Sequence, residues 1–231
     1  MKLITVSGPP SSGKTSVLQK TILHLTEQGK KAGVVKFDCL YTDDDIVYQR
    51  HNIPVKKGLS RELCPDHYFI TNIEEAFEWG LGQGFDYLFT ESAGLCNRCS
   101  PHIHGALAIC VIDQLSGVHT PSKIGPMLRL ADIVAVTKSD IVSQAEKEVF
   151  AVRVQYVNPN AAIFHVNGLN GQGTYELCRK MEEDALETAI KDERLRFPMP
   201  MALCSYCLGE TRIGKEYQIG NVRKIQLGDD A

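Results

Sequence analysis

Apolar residues along the chain fall in short, nearly unbroken runs, separated by polar segments that carry helical spacing. Residues 2–7, 32–37, 86–90, 106–112, 132–137 and 161–166 form such runs. Each has the length of a strand, and six strands are expected. Runs that are apolar on both faces belong in a sheet covered on both sides, which implies parallel strands joined by crossover helices. Helical spacing occupies 14–28 up to Gly29, then 72–80, 143–156 and 173–193. The alternation predicts an α/β fold, doubly wound about a mainly parallel sheet. The pattern changes at Phe197-Pro198-Met199-Pro200. Residues 197–231 read as a small Cys-containing extension, with a hairpin over 216–219 and 222–227 turning at Gly220-Asn221. That tail is too small to fold alone, so it is expected to dock on the main domain of residues 1–196 or to be stapled by metal.

The first expected turn carries chemistry. Gly8-Pro9-Pro10-Ser11-Ser12-Gly13-Lys14-Thr15 is a complete G-x-x-x-x-G-K-T, placed after a strand and opening a helix. The glycines allow close backbone approach, and the loop N–H groups, with Ser16 just inside the helix, are expected to surround phosphates. Lys14 should reach the β- and γ-phosphates and the Thr15 hydroxyl should ligate Mg²⁺. This makes the expected fold that of a P-loop NTPase. Thr137-Lys138-Ser139-Asp140 follows the fifth expected strand as a Thr-first form of the guanine-reading Asn-Lys-x-Asp pattern. A carboxylate at Asp140 can accept from guanine N1–H and N2–H, a donor pair adenine lacks. Lys138 would lie across the base, and Asn167 joins the nucleotide-binding set. Glu91-Ser-Ala-Gly94 reads as a second switch, with Glu91 orienting water or the Mg²⁺ shell and Gly94 offering an N–H to the γ-phosphate. Asp38 is a second acid for Mg²⁺. Thr42 and Asp43 to Asp45 fall in a first switch, where Asp44 is expected to be solvated.

A net charge of −3 marks neither a nucleic-acid binder nor a membrane-surface binder. The opening apolar run is too short for a secretion signal, and no stretch approaches a membrane span. A cytoplasmic setting is expected, and there eight cysteines point to metal or redox chemistry in place of disulfides. Cys96 and Cys99 form one C-x-x-C beside the second switch; Cys204 and Cys207 form another in the tail. Such pairs suit tetrahedral Zn²⁺ or an iron–sulfur cluster. Cys64 stands three residues before His67. His102 and His104 are expected to serve as loop or cap histidines. Cys39, Cys110 and Cys178 are expected in the core, as are Phe77, Trp79 and Phe85.

The phosphate loop, Asp38 with Tyr41-Thr42-Asp43-Asp44-Asp45, Glu91-Ser-Ala-Gly94 and the Thr-Lys-x-Asp resemble the metallochaperone GTPases of the HypB, UreG and CobW group over about residues 1–185. Pro121-Ser-Lys123-Ile-Gly125-Pro126 resembles UreG, and Asn158-Pro-Asn-Ala-Ala-Ile-Phe with Gly168-Leu-Asn-Gly-Gln-Gly173 resembles HypB. The tail from 197 resembles neither. The resemblance implies binding of GTP and GDP with Mg²⁺, a homodimer and a client metalloenzyme or its maturation complex. It also implies a transferred metal, Zn or Ni, on Cys64 and His67. Here Cys64-Pro65-Asp66-His67 carries an extra Asp66 relative to a Cys-Pro-His pattern, and there is no His-rich storage tract. The function expected is a GTP-hydrolysing maturation factor for a different metalloenzyme. The alternative is a nucleotide-driven iron–sulfur activator that passes electrons to a partner. A small-molecule kinase would leave the Thr-Lys-x-Asp unexplained, and a non-catalytic nucleotide-gated module would show no turnover.

Overall fold

A computed structural model of the chain describes residues 1–197, 210–217 and 222–227. Seven strands form one sheet: β1 (Lys2–Ser7), β2 (Ala32–Asp38), β3 (Val55–Leu59), β4 (Tyr87–Ser92), β5 (Leu107–Asp113), β6 (Ile133–Thr137) and β7 (Ala162–Val166). Their order is β3-β2-β4-β1-β5-β6-β7, and every pairing is parallel. The helices are α1 (Lys14–Glu27), α2 (Asp44–Gln49), α3 (Pro65–Thr71), α4 (Ile73–Gln83), α5 (Thr120–Ile124), α6 (Pro126–Arg129), α7 (Gln144–Val157) and α8 (Thr174–Asp184).

Alternate residues of each strand feed opposite faces. Ile4, Val34, Phe89 and Ile109 pack on one side with Leu18, Ile22 and Met181 of α1 and α8. Leu3, Val35 and Leu88 pack on the other with Phe69 and Ile73 of α3 and α4. Further along that second face, Ile112 and Val134 meet Met127 and Leu128 of α6 and Phe150 of α7. Ser143 caps α7 reciprocally, accepting from the Glu146 backbone N–H while the Glu146 carboxylate accepts from the Ser143 N–H at 2.8 Å. This is the doubly wound P-loop NTPase sheet, with one strand more than the six apolar runs.

The added strand, β3, is an edge strand reading Val-Lys-Lys-Gly-Leu, which has neither a continuous apolar run nor clean alternation. The last helix is shorter than its spacing: α8 ends at Asp184, not at 193. Residues beyond it are held by tertiary bonds that a helix could not make. Thr188 N–H donates to the Met1 carbonyl, its hydroxyl accepts from Leu3 N–H at 3.0 Å, and Ile190 and Leu195 enter the core. Arg196 closes this segment, with two hydrogen bonds of 2.7 Å to Asp132 and further bonds to the carbonyls of Ile103, Leu130 and Ala106.

The expected tail hairpin is not found in the described residues. Lys215–Tyr217 is a single 3₁₀ turn and 222–227 has no regular structure, while 218–221 lie outside the described residues. Around 222–227 the backbone is satisfied by a side chain instead of a partner strand: Asn72 accepts from Ile225 N–H at 2.7 Å and donates to the Arg223 carbonyl at 2.9 Å. Ile225 and Ile213 are buried against the α3–α4 layer. Cys204 and Cys207 also lie outside the described residues.

Candidate functional site

Parallel strands end on one edge of the sheet, and the loops at that edge bring the expected nucleotide residues together. The β1–α1 turn holds Gly8 at φ 142° and Gly13 at φ 90°, angles that side chains disfavour. A Cβ on Gly8 would stand 2.0 Å from the Val111 carbonyl oxygen, and one on Gly94 would stand 1.7 Å from the Gly8 carbonyl oxygen. The loop after β4 therefore rests on the backbone of the phosphate loop, and only glycine permits it. Lys14 donates to the carbonyls of Gly8 and Pro9 at 3.0 and 2.9 Å. Burial lowers its pKa; Glu91 works against that and Lys36 works with it.

Beside Lys14 lies a buried charge cluster. The Thr15 hydroxyl donates to Glu91 Oε1 at 2.8 Å. Glu91, 0% exposed, also accepts from Lys36 Nζ at 2.8 Å and from the Tyr48 hydroxyl at 2.7 Å. Lys36, 3% exposed, lies 2.5 Å from Asp44 and 3.7 Å from Asp38. Asp44 is thus paired, not merely solvated as expected. Burial alone would raise its pKa, but the Lys36 hydrogen bond and charge carry it below the usual carboxylate value. Tyr48 goes the other way, pushed up by burial and by Glu91. Asp38, Asp44 and Glu91 direct carboxylate oxygens at one cation, the Lys36 ammonium, and the Thr15 hydroxyl shares Glu91 Oε1 with it. The Thr15 hydroxyl with one or two carboxylates is the hard-oxygen set that Mg²⁺ takes beside phosphates.

On the other side of the phosphate loop, a cavity of about 290 Å³ is lined by Gly13, Ser16, Thr137, Lys138, Asp140 and Asn167, among others. The Thr137 hydroxyl donates to the Ser12 carbonyl at 2.7 Å, tying the end of β6 to the phosphate loop. Lys138, at φ 57°, bridges Asp113 at 2.5 Å and the Ser11 carbonyl at 3.2 Å. Asn167 Oδ1 accepts from the N–H groups of Leu169 and Asn170, which shapes the loop after β7.

The second switch leads into the first cysteine pair. Cys96 and Cys99 Sγ atoms stand 3.8 Å apart, with Cys99 buried. Two thiolates bound at about 2.3 Å on a tetrahedral ion would be separated by about this distance. Burial raises the Cys99 pKa, and the charges of Cys96, Asp66 and Cys64 raise it further. The start of α3 thus lies beside the C-x-x-C. Asp66, buried and without a hydrogen-bond partner for Oδ1 among the described residues, has its pKa pushed up to about 7 by burial, against a smaller pull from Lys14. Among the described residues no group of three or more His, Cys, Asp or Glu side chains has metal-holding geometry. Cys64 therefore lies near the pair, and no complete metal site forms around it among the described residues.

Several residues differ from their expected places. His102 lies in the loop before β5, as expected, but it is fully buried there, with Nδ1 2.9 Å from the Thr5 hydroxyl and Nε2 3.0 Å from the Ser7 hydroxyl and 3.1 Å from the Met127 carbonyl. Burial brings its pKa down to about 3. Cys39 is half-exposed, its thiol 3.4 Å from the Arg61 carbonyl. Cys110 and Cys178 are core residues, and burial raises both thiols to about 12.

Residues 2–165 match a family model described as CobW/HypB/UreG, nucleotide-binding domain. The chain belongs to the CobW/HypB/UreG nucleotide-binding family. It is 50% identical over 225 residues to an uncharacterized protein of Methanocaldococcus jannaschii, covering 97% of this chain and 96% of that one. It is 27% identical over 209 residues to the urease accessory protein UreG of Yersinia pestis, covering 82% and 92%. In structure it is similar to the hydrogenase maturation factor HypB from Archaeoglobus fulgidus, with TM-score 0.63, 18% identity and coverage of 79% and 89%. HypB from Helicobacter pylori in complex with nickel gives TM-score 0.63, 20% identity and coverage of 79% and 86%. These two share the fold. The family match stops at 165, whereas the archaeal relative spans nearly the whole chain, tail included.

Among the groups at this family member's phosphate edge, Lys36, Tyr48 and Asp113 were not singled out by motif. A lysine inside the otherwise apolar run Ala-Gly-Val-Val-Lys-Phe was the one visible signal.

Proposed function

We propose that this protein is a GTP-hydrolysing metallochaperone or metalloenzyme-maturation factor, acting as a cytoplasmic homodimer on a client metalloenzyme or its maturation complex. The observation that carries the reading is the seating of Gly94 on the phosphate loop, with Cys96 and Cys99 two and five residues further on. Anything that moves Gly94 moves the thiol pair. The names of its relatives support the direction: UreG is a urease accessory protein, and one HypB structure holds nickel.

In this reading Asp140 accepts from guanine N1–H and N2–H, while Lys138 and Asn167 flank the base. Gly8, Pro9, Ser11, Ser12, Gly13 and Ser16 line the phosphate path. Lys14 leaves the Gly8 and Pro9 carbonyls for the β- and γ-phosphates. Mg²⁺, when bound, neutralises charge on the phosphates, and Thr15, Asp38 and Glu91 would hold it. Glu91 also accepts a proton-bearing partner in place of Thr15, orienting the attacking water. The Gly94 N–H meets the γ-phosphate, which sets the second switch.

The cargo is a thiolate-bound ion, Zn or Ni, on Cys96 and Cys99, completed by Cys64 and His67 or by Cys204 and Cys207. An iron–sulfur activator would require the two tail thiolates as well. Residues 1–196 form the nucleotide domain and 197–231 an extension docked on it, which the contacts of Ile213 and Ile225 support. The test is a titration with GTP, GDP, ATP and ADP followed by turnover: guanine nucleotides bind about one to two decades tighter and GTP is hydrolysed. Equal affinity for ATP would remove the GTPase assignment.

A further inference from the structure

The buried lysine at the centre of the acid cluster has no place in the phosphate-loop motif. Lys36 Nζ touches Glu91 Oε1 at 2.8 Å, the same oxygen to which the Thr15 hydroxyl donates at 2.8 Å. It reaches Asp44 at 2.5 Å and Asp38 at 3.7 Å. Of these, Glu91 and Asp38 are the carboxylates that, with Thr15, would hold a divalent ion in the proposed reading. We infer that Lys36 is a resident cation that holds the Mg²⁺ position closed in the nucleotide-free protein, so that the divalent ion enters only together with the nucleotide phosphates. This rests on the reading of the site as one that binds Mg²⁺ with GTP.

The charges argue for it. Three carboxylates, Asp38, Asp44 and Glu91, face two ammoniums, Lys14 and Lys36, within one partly buried cluster. With Lys36 in place the cluster keeps a net charge of only −1 and its oxygens are occupied, so a divalent ion alone meets weak attraction and a filled site. Without Lys36 the same oxygens would carry an excess negative charge matched to Mg²⁺. Incoming phosphates change the balance by adding several negative charges beside the cluster, and the ion and the ammonium can then both be accommodated.

The test uses Mn²⁺ as the probe, with free ion followed by electron paramagnetic resonance, on the full chain with and without GDP. Lys36→Gln should bind Mn²⁺ about ten-fold or more tighter than wild type in the absence of nucleotide, because a neighbouring unit charge shifts cation affinity by that order. Lys36→Arg, which keeps the charge, should behave as wild type. Equal nucleotide-free Mn²⁺ affinity in wild type and Lys36→Gln overturns the inference. Should Lys36→Gln fail to fold, the wild type still decides. Its ¹⁵N-labelled Lys36 ammonium resonance should stay unmoved by millimolar Mg²⁺ alone and shift with Mg²⁺ and GDP. A shift with Mg²⁺ alone contradicts the inference. A wild type that binds no guanine nucleotide would overturn the functional reading instead, while the Mn²⁺ comparison would still judge Lys36.

Discussion

Glu91 shows how one side chain joins fold and chemistry. Its carboxylate takes three hydrogen bonds, from Thr15, Lys36 and Tyr48, in a place without solvent. Glu91→Gln removes the charge opposite Lys36, although Asp44 still faces that ammonium. The cost should be on the order of 2–3 kcal/mol of stability, read as a lower urea midpoint, together with impaired GTP turnover and retained nucleotide binding. Lys14→Ala should abolish turnover and cripple nucleotide binding, because the loop loses its cation at the phosphates. Asp140→Ala should cost about 1.5–3 kcal/mol in GTP affinity and leave ATP affinity nearly unchanged. At this scale the motif residues were legible in the sequence, since each type is demanded by its spacing. Lys36 and Asp44 were not, because a lysine in a strand and an aspartate in a polar loop look ordinary until the sheet brings them together. The burial of the loop residue His102 was not legible for the same reason: nothing local announces partners 95 and 97 residues away.

Among the elements, the sheet and its long helices follow from periodicity, and their register fixes which loops meet. Edge strand β3 escaped because it is paired on one side alone and reads half polar. The helices α2, α3, α5 and α6, of four to seven residues, are too short to show a period. Gly94 carries the junction between the β4 loop and the phosphate loop. Gly94→Ala places a Cβ against the Gly8 carbonyl at a φ of 72°, and should cost at least about 2 kcal/mol and abolish nucleotide binding by equilibrium dialysis. Two buried groups then set the pH dependence in opposite senses. His102 has a folded pKa near 3, below its usual value of about 6.5, so the unfolded chain binds its proton first. That stability is present above pH 6.5 and declines by about 1.4 kcal/mol per unit as the pH falls toward 3. Asp66, with a folded pKa near 7, binds its proton first in the folded state. Its contribution is present below about pH 4 and is lost as the pH rises toward 7. The two slopes nearly cancel between pH 4 and 6.5 in the metal-free protein. Asp66→Asn should uncover the His102 slope, with urea midpoints falling steadily from pH 6.5 to 4, and an unchanged pH profile in that variant would contradict the His102 assignment.

For the whole molecule, three loops that are distant in sequence meet at one end of the sheet. The phosphate loop touches Gly94, Gly94 leads to Cys96 and Cys99, and the start of α3 with Cys64 and Asp66 lies beside that pair. In the proposed reading, a γ-phosphate that engages the Gly94 N–H is felt at the thiols, and by linkage a metal at the thiols is felt by the nucleotide. The family match places this chain among nucleotide-binding domains of the CobW, HypB and UreG kind, and the cysteine pair would give its nucleotide switch an output. The direct measurement is competition for Zn²⁺ against a chelator of known affinity, with Mg²⁺ and either GDP or a non-hydrolysable GTP analogue. It is run on wild type and on Cys96→Ser/Cys99→Ser. Zn²⁺ affinity in the wild type should differ between the two nucleotide states by about 1–3 kcal/mol, roughly 5- to 150-fold, and the double variant should show no difference. Equal Zn²⁺ affinity of the wild type in both nucleotide states would contradict the coupling, and with it the metallochaperone reading.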